Sequence, residues 1–210
     1  MRNELDHYIE NNSCRLDDVL VWLERETNIR TNRGRMLSGA TQGRFLELFS
    51  TLFSPRNILE IGTFTGYSAV ALARGLPSGG SLDTIEKNDE LEPLIREAFR
   101  RGGVTDSVNL ILGDALDIIP SLNKMYDLVY IDGNKREYPQ YYRLVYEKVL
   151  PGGYILADNV LWDGKVCPEN NSADAQTTGI ISFNSMVVSD PGVKNFILPL
   201  RDGINIIRML

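Results

Sequence analysis

Between Asn57 and Asn159 five short apolar runs of strand type follow one another: "NILEIG", "SLDTIE", "VNLILGDA", "YDLVYID" and "YILADN". Helical segments separate several of them. One spans about Tyr67 to Arg74, one runs through "ELEPLIREAFRRGG" to a Gly102-Gly103 stop, and one ends near "VYEKVLPGG". Strands alternating with helices of about ten residues predict a parallel sheet covered on both faces. The C-terminal end breaks the pattern. "VKNFILPL" and "GINIIRML" are joined by Arg201-Asp202-Gly203, and Asp-Gly is a hairpin signal, so the sheet is expected to finish in an antiparallel pair.

The first 54 residues read as a helical region preceding an α/β core over 55–210. "LDDVLVWLERET" carries Leu16, Val19, Leu20 and Leu23 at helical spacing, and "TQGRFLELFSTLF" carries Phe45, Leu46, Leu48, Phe49 and Leu52. With 210 residues, 43% of them apolar, the chain suits one domain with a sizeable core. A net charge of -6 argues against sequence-independent binding to nucleic acid or a membrane surface. No apolar run reaches the roughly 18–20 residues that a membrane span needs. The opening "MRNELDHYIENNS" is acidic and polar, unlike a secretory leader. Cys14 and Cys167 have no metal-ligand spacing, which favours a reducing compartment; a cytoplasmic protein is expected.

"LEIGTFTGYS" joins the first strand to its helix. Gly62 and Gly66 let the backbone turn sharply and lie close to a ligand, and free N–H groups at the helix start favour an anionic group. Phe64 stands where the dinucleotide fingerprint Gly-x-Gly-x-x-Gly needs its second glycine. A pyrophosphate requires that bare backbone and an amino-acid carboxylate does not, so the loop suits S-adenosylmethionine (SAM) better than a nicotinamide dinucleotide. Glu86 ends the next strand, where an acid can bind both ribose hydroxyls. "GDA" at 113–115 ends the third strand and is expected to border the adenine.

Asp132 and Asp158-Asn159 end two strands expected to be neighbours, and ligands in open α/β sheets bind beyond such ends. Two carboxylates and an amide oxygen form a hard, oxygen-only set with too few protein ligands to fill a shell. That suits Mg²⁺, or Ca²⁺ or Mn²⁺ in its place, with positions left for water or for two neighbouring substrate oxygens. Zinc is disfavoured, since the only histidine is His7. Lys135 follows Asp132 by three residues. A lysine amine becomes a usable base when a nearby cation and partial desolvation lower its pKa, and the same cation acidifies a hydroxyl beside it.

"MLSGATQGRFL", "ILEIGTFTGYSAVALA", "YDLVYIDGNKREYPQYY", "LPGGYILADNVLWDGKV" and "FNSMVVSDPGVKNFILPLRDGINIIR" together resemble the cation-dependent O-methyltransferases, which include catechol and caffeoyl-CoA enzymes and bacterial relatives. The resemblance covers about residues 35–210. It implies a Rossmann-like SAM-dependent methyltransferase fold, methyl transfer from SAM to a hydroxyl of a small catechol-like or other vicinal-oxygen aromatic acceptor, and a homodimer. It further implies Asp132, Asp158 and Asn159 as metal ligands and Lys135 as general base. Glu60, Gly62, Phe64, Gly66 and Ser68 match the methionine-side SAM loop, Glu86 the ribose acid, and Asp114-Ala115 the adenine side, with Asp132 also beside SAM. Met36 and Ser38 align with the segment that closes over the methionine portion. Trp162 and Val166 border the acceptor pocket, and Asn184 falls near an acceptor contact.

Many relatives read "IDADK" where this chain has "IDGNK"; Gly133-Asn134 is expected to loosen that loop or change acceptor contacts. "CPENNSADAQTTG" contains no Lys or Arg, which argues against strong binding of a phosphorylated carrier such as coenzyme A there. Two alternatives remain: the same chemistry on a hydroxylated tRNA wobble uridine, with Arg30, Arg33 and Arg35 as a phosphate-contacting patch, and a catalytically silent SAM-binding protein.

Overall fold

The computed structural model describes residues 4–15, 17–31, 34–170 and 174–210. Leu16, Arg33 and the side chain of Arg35, which entered the sequence expectations, lie outside the described residues, as does 171–173. The core strands are β1 (Asn57–Ile61), β2 (Ser81–Glu86), β3 (Val108–Leu112), β4 (Tyr126–Ile131) and β5 (Val149–Asp158). β6 (Val193–Leu198) and β7 (Ile204–Met209) follow. Among the described residues they form one seven-stranded sheet in the order β3-β2-β1-β4-β5-β7-β6. β1 through β5 pair in parallel, while β7 is antiparallel to both β5 and β6. The expected mostly parallel sheet with an antiparallel C-terminal hairpin is what forms.

The helices are α1 (Glu4–Asn11), α2 (Asp18–Arg30), α3 (Gly39–Phe53), α4 (Tyr67–Ala73), α5 (Glu92–Gly102), α6 (Ala115–Ser121), α7 (Tyr138–Tyr146) and α8 (Ala175–Val188). Side chains alternate across each strand, so the sheet feeds two cores. Ile58, Leu128, Tyr130 and Leu156 pack with Leu20, Leu23, Leu46, Leu72 and Ile95 from α2, α3, α4 and α5. Leu59, Ile61, Val129, Ile131 and Ile155 pack with Ile119, Tyr142, Val145 and Phe183 from α6, α7 and α8. No helix among the described residues is long and apolar enough to cross a membrane.

Two details depart from the sequence expectation. Leu48 and Leu52, placed by spacing on the apolar stripe of α3, are 65% and 88% exposed; the buried stripe is Gln42, Leu46 and Ser50, one turn apart. The 167–179 stretch becomes helical at Ala175, because Asp174 caps the amides of Gln176 and Thr177. Neither α8, rich in Thr, Ile and Gly at its start, nor α6, which contains Pro120, has strong helix propensity. Both are held by packing against the second core.

The order of strands reverses between β1 and β4, and the two strand ends touch there. The Asp132 N–H donates to the Ile61 carbonyl at 2.9 Å. Gly62 has φ +97°, and a Cβ on it would stand 2.4 Å from the Asp132 carbonyl oxygen. Gly79 has a similar φ of +77° with nothing within 4 Å of its virtual Cβ. Both alanine variants are strained in this region of φ. Gly79→Ala is expected to cost about 1 kcal/mol, and Gly62→Ala about 1–3 kcal/mol beyond that for overpacking against backbone, read as the difference in urea unfolding free energy.

Candidate functional site

The carboxyl ends of β1, β2, β4 and β5 open into a cleft of about 920 Å³. Met36, Ser38, Gly62, Phe64, Glu86, Asp114, Ala115, Asp132, Lys135, Asp158, Asn159 and Trp162 all line it. Glu60, Gly66 and Ser68 are buried and do not form its wall; nor do Val166, which packs on the second core, and Asn184, whose amide donates to the Val160 carbonyl at 2.9 Å.

One end of the cleft is organised by Glu86. Its Oε2 accepts from the Phe64 N–H at 2.7 Å and its Oε1 from the Asn88 N–H at 2.8 Å. This holds Phe64 in the left-handed region at φ 51°, a conformation a bulky residue adopts only under constraint. Each oxygen keeps a lone pair for a ligand hydroxyl. Burial raises the Glu86 carboxyl, against the pull of those amides. Further along, Asp114 caps α6 through the Leu116 N–H and meets Lys87 at 2.6 Å. That ammonium holds the Asp114 carboxyl below its usual range.

The other end is acidic and largely dry. Asp158 is 2% exposed and Lys135 8%. Lys135 Nζ lies 2.6 Å from Asp132 Oδ1 and 5.1 Å from the centre of the Tyr138 ring. The Tyr138 hydroxyl contacts the Ile131 carbonyl at 3.2 Å and the Asp158 carbonyl at 2.9 Å, fastening the ends of β4 and β5 together. Burial raises the Asp132 carboxyl; Lys135 opposes the shift and the nearby Asp158 adds to it. The two carboxylates therefore destabilise each other electrostatically, which a cation between them relieves. Their donor set, two carboxylates and the Asn159 amide, with no Cys or His among the described residues that line the cleft, fits a hard divalent ion such as Mg²⁺. Among the described residues no group of three or more His, Cys, Asp or Glu is placed to hold a metal.

Four of the six described non-glycine residues with positive φ line this cleft: Phe64, Asn159, Trp162 and Arg201. Strain of this kind persists where surroundings over-determine the backbone, and it concentrates at functional sites. A Cβ on Gly133 would meet the Tyr141 ring at 2.9 Å, so Tyr141 occupies the space beside it.

Several contributors escaped the sequence reading. Arg201 and Asp202 line the cleft because β7 runs antiparallel to β5, so its start lies where β5 ends. The turn is bonded there, Val160 N–H to the Gly203 carbonyl at 3.1 Å and Asp163 N–H to Asp202 Oδ1 at 2.6 Å. Gln42, 1% exposed, is a polar member of the buried α3 stripe, a signal the sequence did contain. The tRNA reading gains nothing: Arg30 is paired with Glu26 at 2.8 Å and Glu97 at 3.6 Å, and Arg33 and the side chain of Arg35 lie outside the described residues.

The O-methyltransferase family model matches residues 10–210. A catechol O-methyltransferase of Niastella koreensis is 35% identical over 202 residues, covering 93% of this chain and 90% of that one. Caffeoyl-CoA O-methyltransferase 1 of Eucalyptus globulus is 31% identical, covering 83% and 75%. Two solved structures superpose with a TM-score of 0.91 at 30% identity: an O-methyltransferase from Bacillus cereus in complex with SAH, and TomG from Streptomyces achromogenes in complex with SAM. Each covers 99% of this chain, which in turn covers 98% and 96% of theirs.

The buried Glu60 beneath the loop gives a pH test of this environment. Its Oε2 accepts from Thr84 Oγ1 at 2.5 Å, and burial pushes its carboxyl from 4.5 up to about 7, against the hydroxyls of Ser68 and Thr84. An acid with a raised folded pKa stabilises the fold below its unfolded pKa and loses that contribution as pH rises through the folded one. Relative to Glu60→Gln, the wild-type chain should lose roughly 3 kcal/mol of stability between pH 4.5 and 7.5, read from denaturant unfolding at several pH values. Parallel pH profiles for the two proteins would contradict a neutral Glu60.

Proposed function

The chain belongs to the O-methyltransferase family, and from that premise we propose that it transfers the methyl group of SAM to a hydroxyl of a small aromatic acceptor with neighbouring oxygens, assisted by a divalent cation. The observation that carries this reading is the half-buried Asp132–Lys135 pair at 2.6 Å, set beside Asp158 in the same cleft that Glu86 enters. An acid at the end of β2, a lysine in the turn between β4 and α7 and a second acid at the end of β5 share one cleft, which supports a donor site beside a proton acceptor.

On the donor side, Glu86 would receive the ribose hydroxyls and Asp114-Ala115 would border the adenine. Gly62 and Phe64, with Glu60, Gly66 and Ser68 behind them, would hold the methionine portion under Met36 and Ser38. On the acceptor side Trp162 gives an aromatic wall, and Lys135 is the group placed to take the hydroxyl proton. Asp132 keeps the Lys135 Nζ in position and Tyr138 covers its other side; it is as the free amine that Lys135 would accept the proton. A cation held by Asp132, Asp158 and Asn159 would acidify the acceptor hydroxyl and offset the negative charge that develops on its oxygen. The chain supplies alignment and a dry, preorganised electrostatic environment, with no covalent intermediate. The described part of the 167–179 stretch carries no cation, in keeping with an uncharged acceptor rather than a phosphorylated carrier.

Chelation with EDTA is expected to abolish turnover of catechols and hydroxycinnamates, and added Mg²⁺ to restore it. Asp158→Ala should lower kcat/KM by at least about 100-fold while calorimetry shows SAM affinity unchanged within about twofold. Normal turnover by that variant, or full activity in EDTA, would remove the cation from the mechanism.

A further inference from the structure

Asp158 is bonded unequally on its two oxygens. Oδ1 accepts the Asn159 backbone N–H at 2.8 Å. Oδ2 accepts from Gln42 Nε2 at 2.5 Å and from the Tyr130 hydroxyl at 3.1 Å. Gln42 Nε2 also contacts the Tyr130 hydroxyl at 2.9 Å, closing a buried triangle between α3, β4 and β5. On its other side, Gln42 Oε1 faces Arg201 Nη1 at 3.5 Å, and the same Nη1 donates to the Leu37 carbonyl at 2.9 Å.

The amide of Gln42 has only one orientation that satisfies both neighbours. An ionised Asp158 can only accept, and a guanidinium can only donate. The NH₂ group must therefore point to Asp158 and the carbonyl to Arg201. A glutamate at this position would set a third carboxylate against Asp158, and a lysine could accept nothing from Arg201. A neutral side chain that donates at one end and accepts at the other meets both demands.

We propose that Gln42 is a positioning residue of the cation site: with Tyr130 it engages Asp158 Oδ2, fixes the carboxylate rotamer, and leaves Oδ1 as the oxygen offered to the ion. The inference rests on the cation-binding role of Asp158 given above. It assigns a task to a residue of the N-terminal helical region that does not line the cleft. Outer-shell partners of this kind orient ligating carboxylates, and their loss weakens metal binding without emptying the site.

The test titrates Mn²⁺ into the full-length protein, reading free ion by electron paramagnetic resonance, for the wild type, Gln42→Met and Tyr130→Phe. SAM affinity by calorimetry and thermal unfolding are measured on the same samples. Gln42→Met keeps the length of the side chain and removes its polar atoms. It is expected to weaken Mn²⁺ binding about 10- to 100-fold and to leave SAM affinity within about twofold. Tyr130→Phe, which removes one hydroxyl from the core, is expected to weaken Mn²⁺ by a smaller factor and serves as the test should Gln42→Met fail to fold. A folded variant that binds Mn²⁺ as tightly as the wild type overturns the positioning role. So does a variant that loses Mn²⁺ and SAM affinity in equal measure, since that marks a general structural defect. A wild type that binds no Mn²⁺ overturns the cation reading itself, which separates the two failures.

Discussion

Burying charged groups is costly unless each is paired and hydrogen-bonded, and this fold buries several at one place. Asp132 and Asp158 end adjacent parallel strands, so the backbone itself brings their charges together. Lys135 meets one of them, while Gln42 and Tyr130 hold the other. Tyr138 ties the two strand ends through their carbonyls. The compensation comes from β4, α3 and the first turn leading into α7, so the acidic end of the cleft exists only when those elements are docked. Two carboxylates thus stand beside one lysine, with Arg201 in the same cleft.

The same economy appears at the donor end. Glu86 is retained at the end of β2 by bonding two backbone amides, and those bonds hold Phe64 in its unfavourable conformation. The Gly62–Asp132 contact lets β1 and β4 end side by side, which places the glycine loop and the acidic pair in one cleft rather than two. The antiparallel hairpin adds the fourth side. Inserting β7 between β5 and β6 turns the chain back at 201–203 beside Asp158 and Asn159, and Arg201 there closes onto Leu37.

Much of this was legible in the residues. The strands from β1 to β5 announce themselves as apolar runs between turn residues, and four of their acids stand at run ends. The hairpin follows from Asp-Gly between two apolar segments. Less visible were α6 and α8, whose residues favour helix weakly and which are stabilised by the second core. The stripe of α3 was misjudged because Leu48 and Leu52 are apolar yet point to solvent, whereas Gln42 is polar and buried. Periodicity identifies a helix; which of its faces turns inward depends on what it packs against.

The amino-acid sequence by itself determined the class of sheet, the glycine loop and the acids that end its strands. Those features are local: propensity, turn chemistry and period-two or period-3.6 patterning act over a few residues. Only the tertiary structure decided which side chains meet across long separations: Gln42 with Asp158, Arg201 with Leu37, and Gly62 with Asp132. Those contacts are set by strand order, by the direction of β7 and by the docking of α3, and none of these leaves a fixed spacing along the chain.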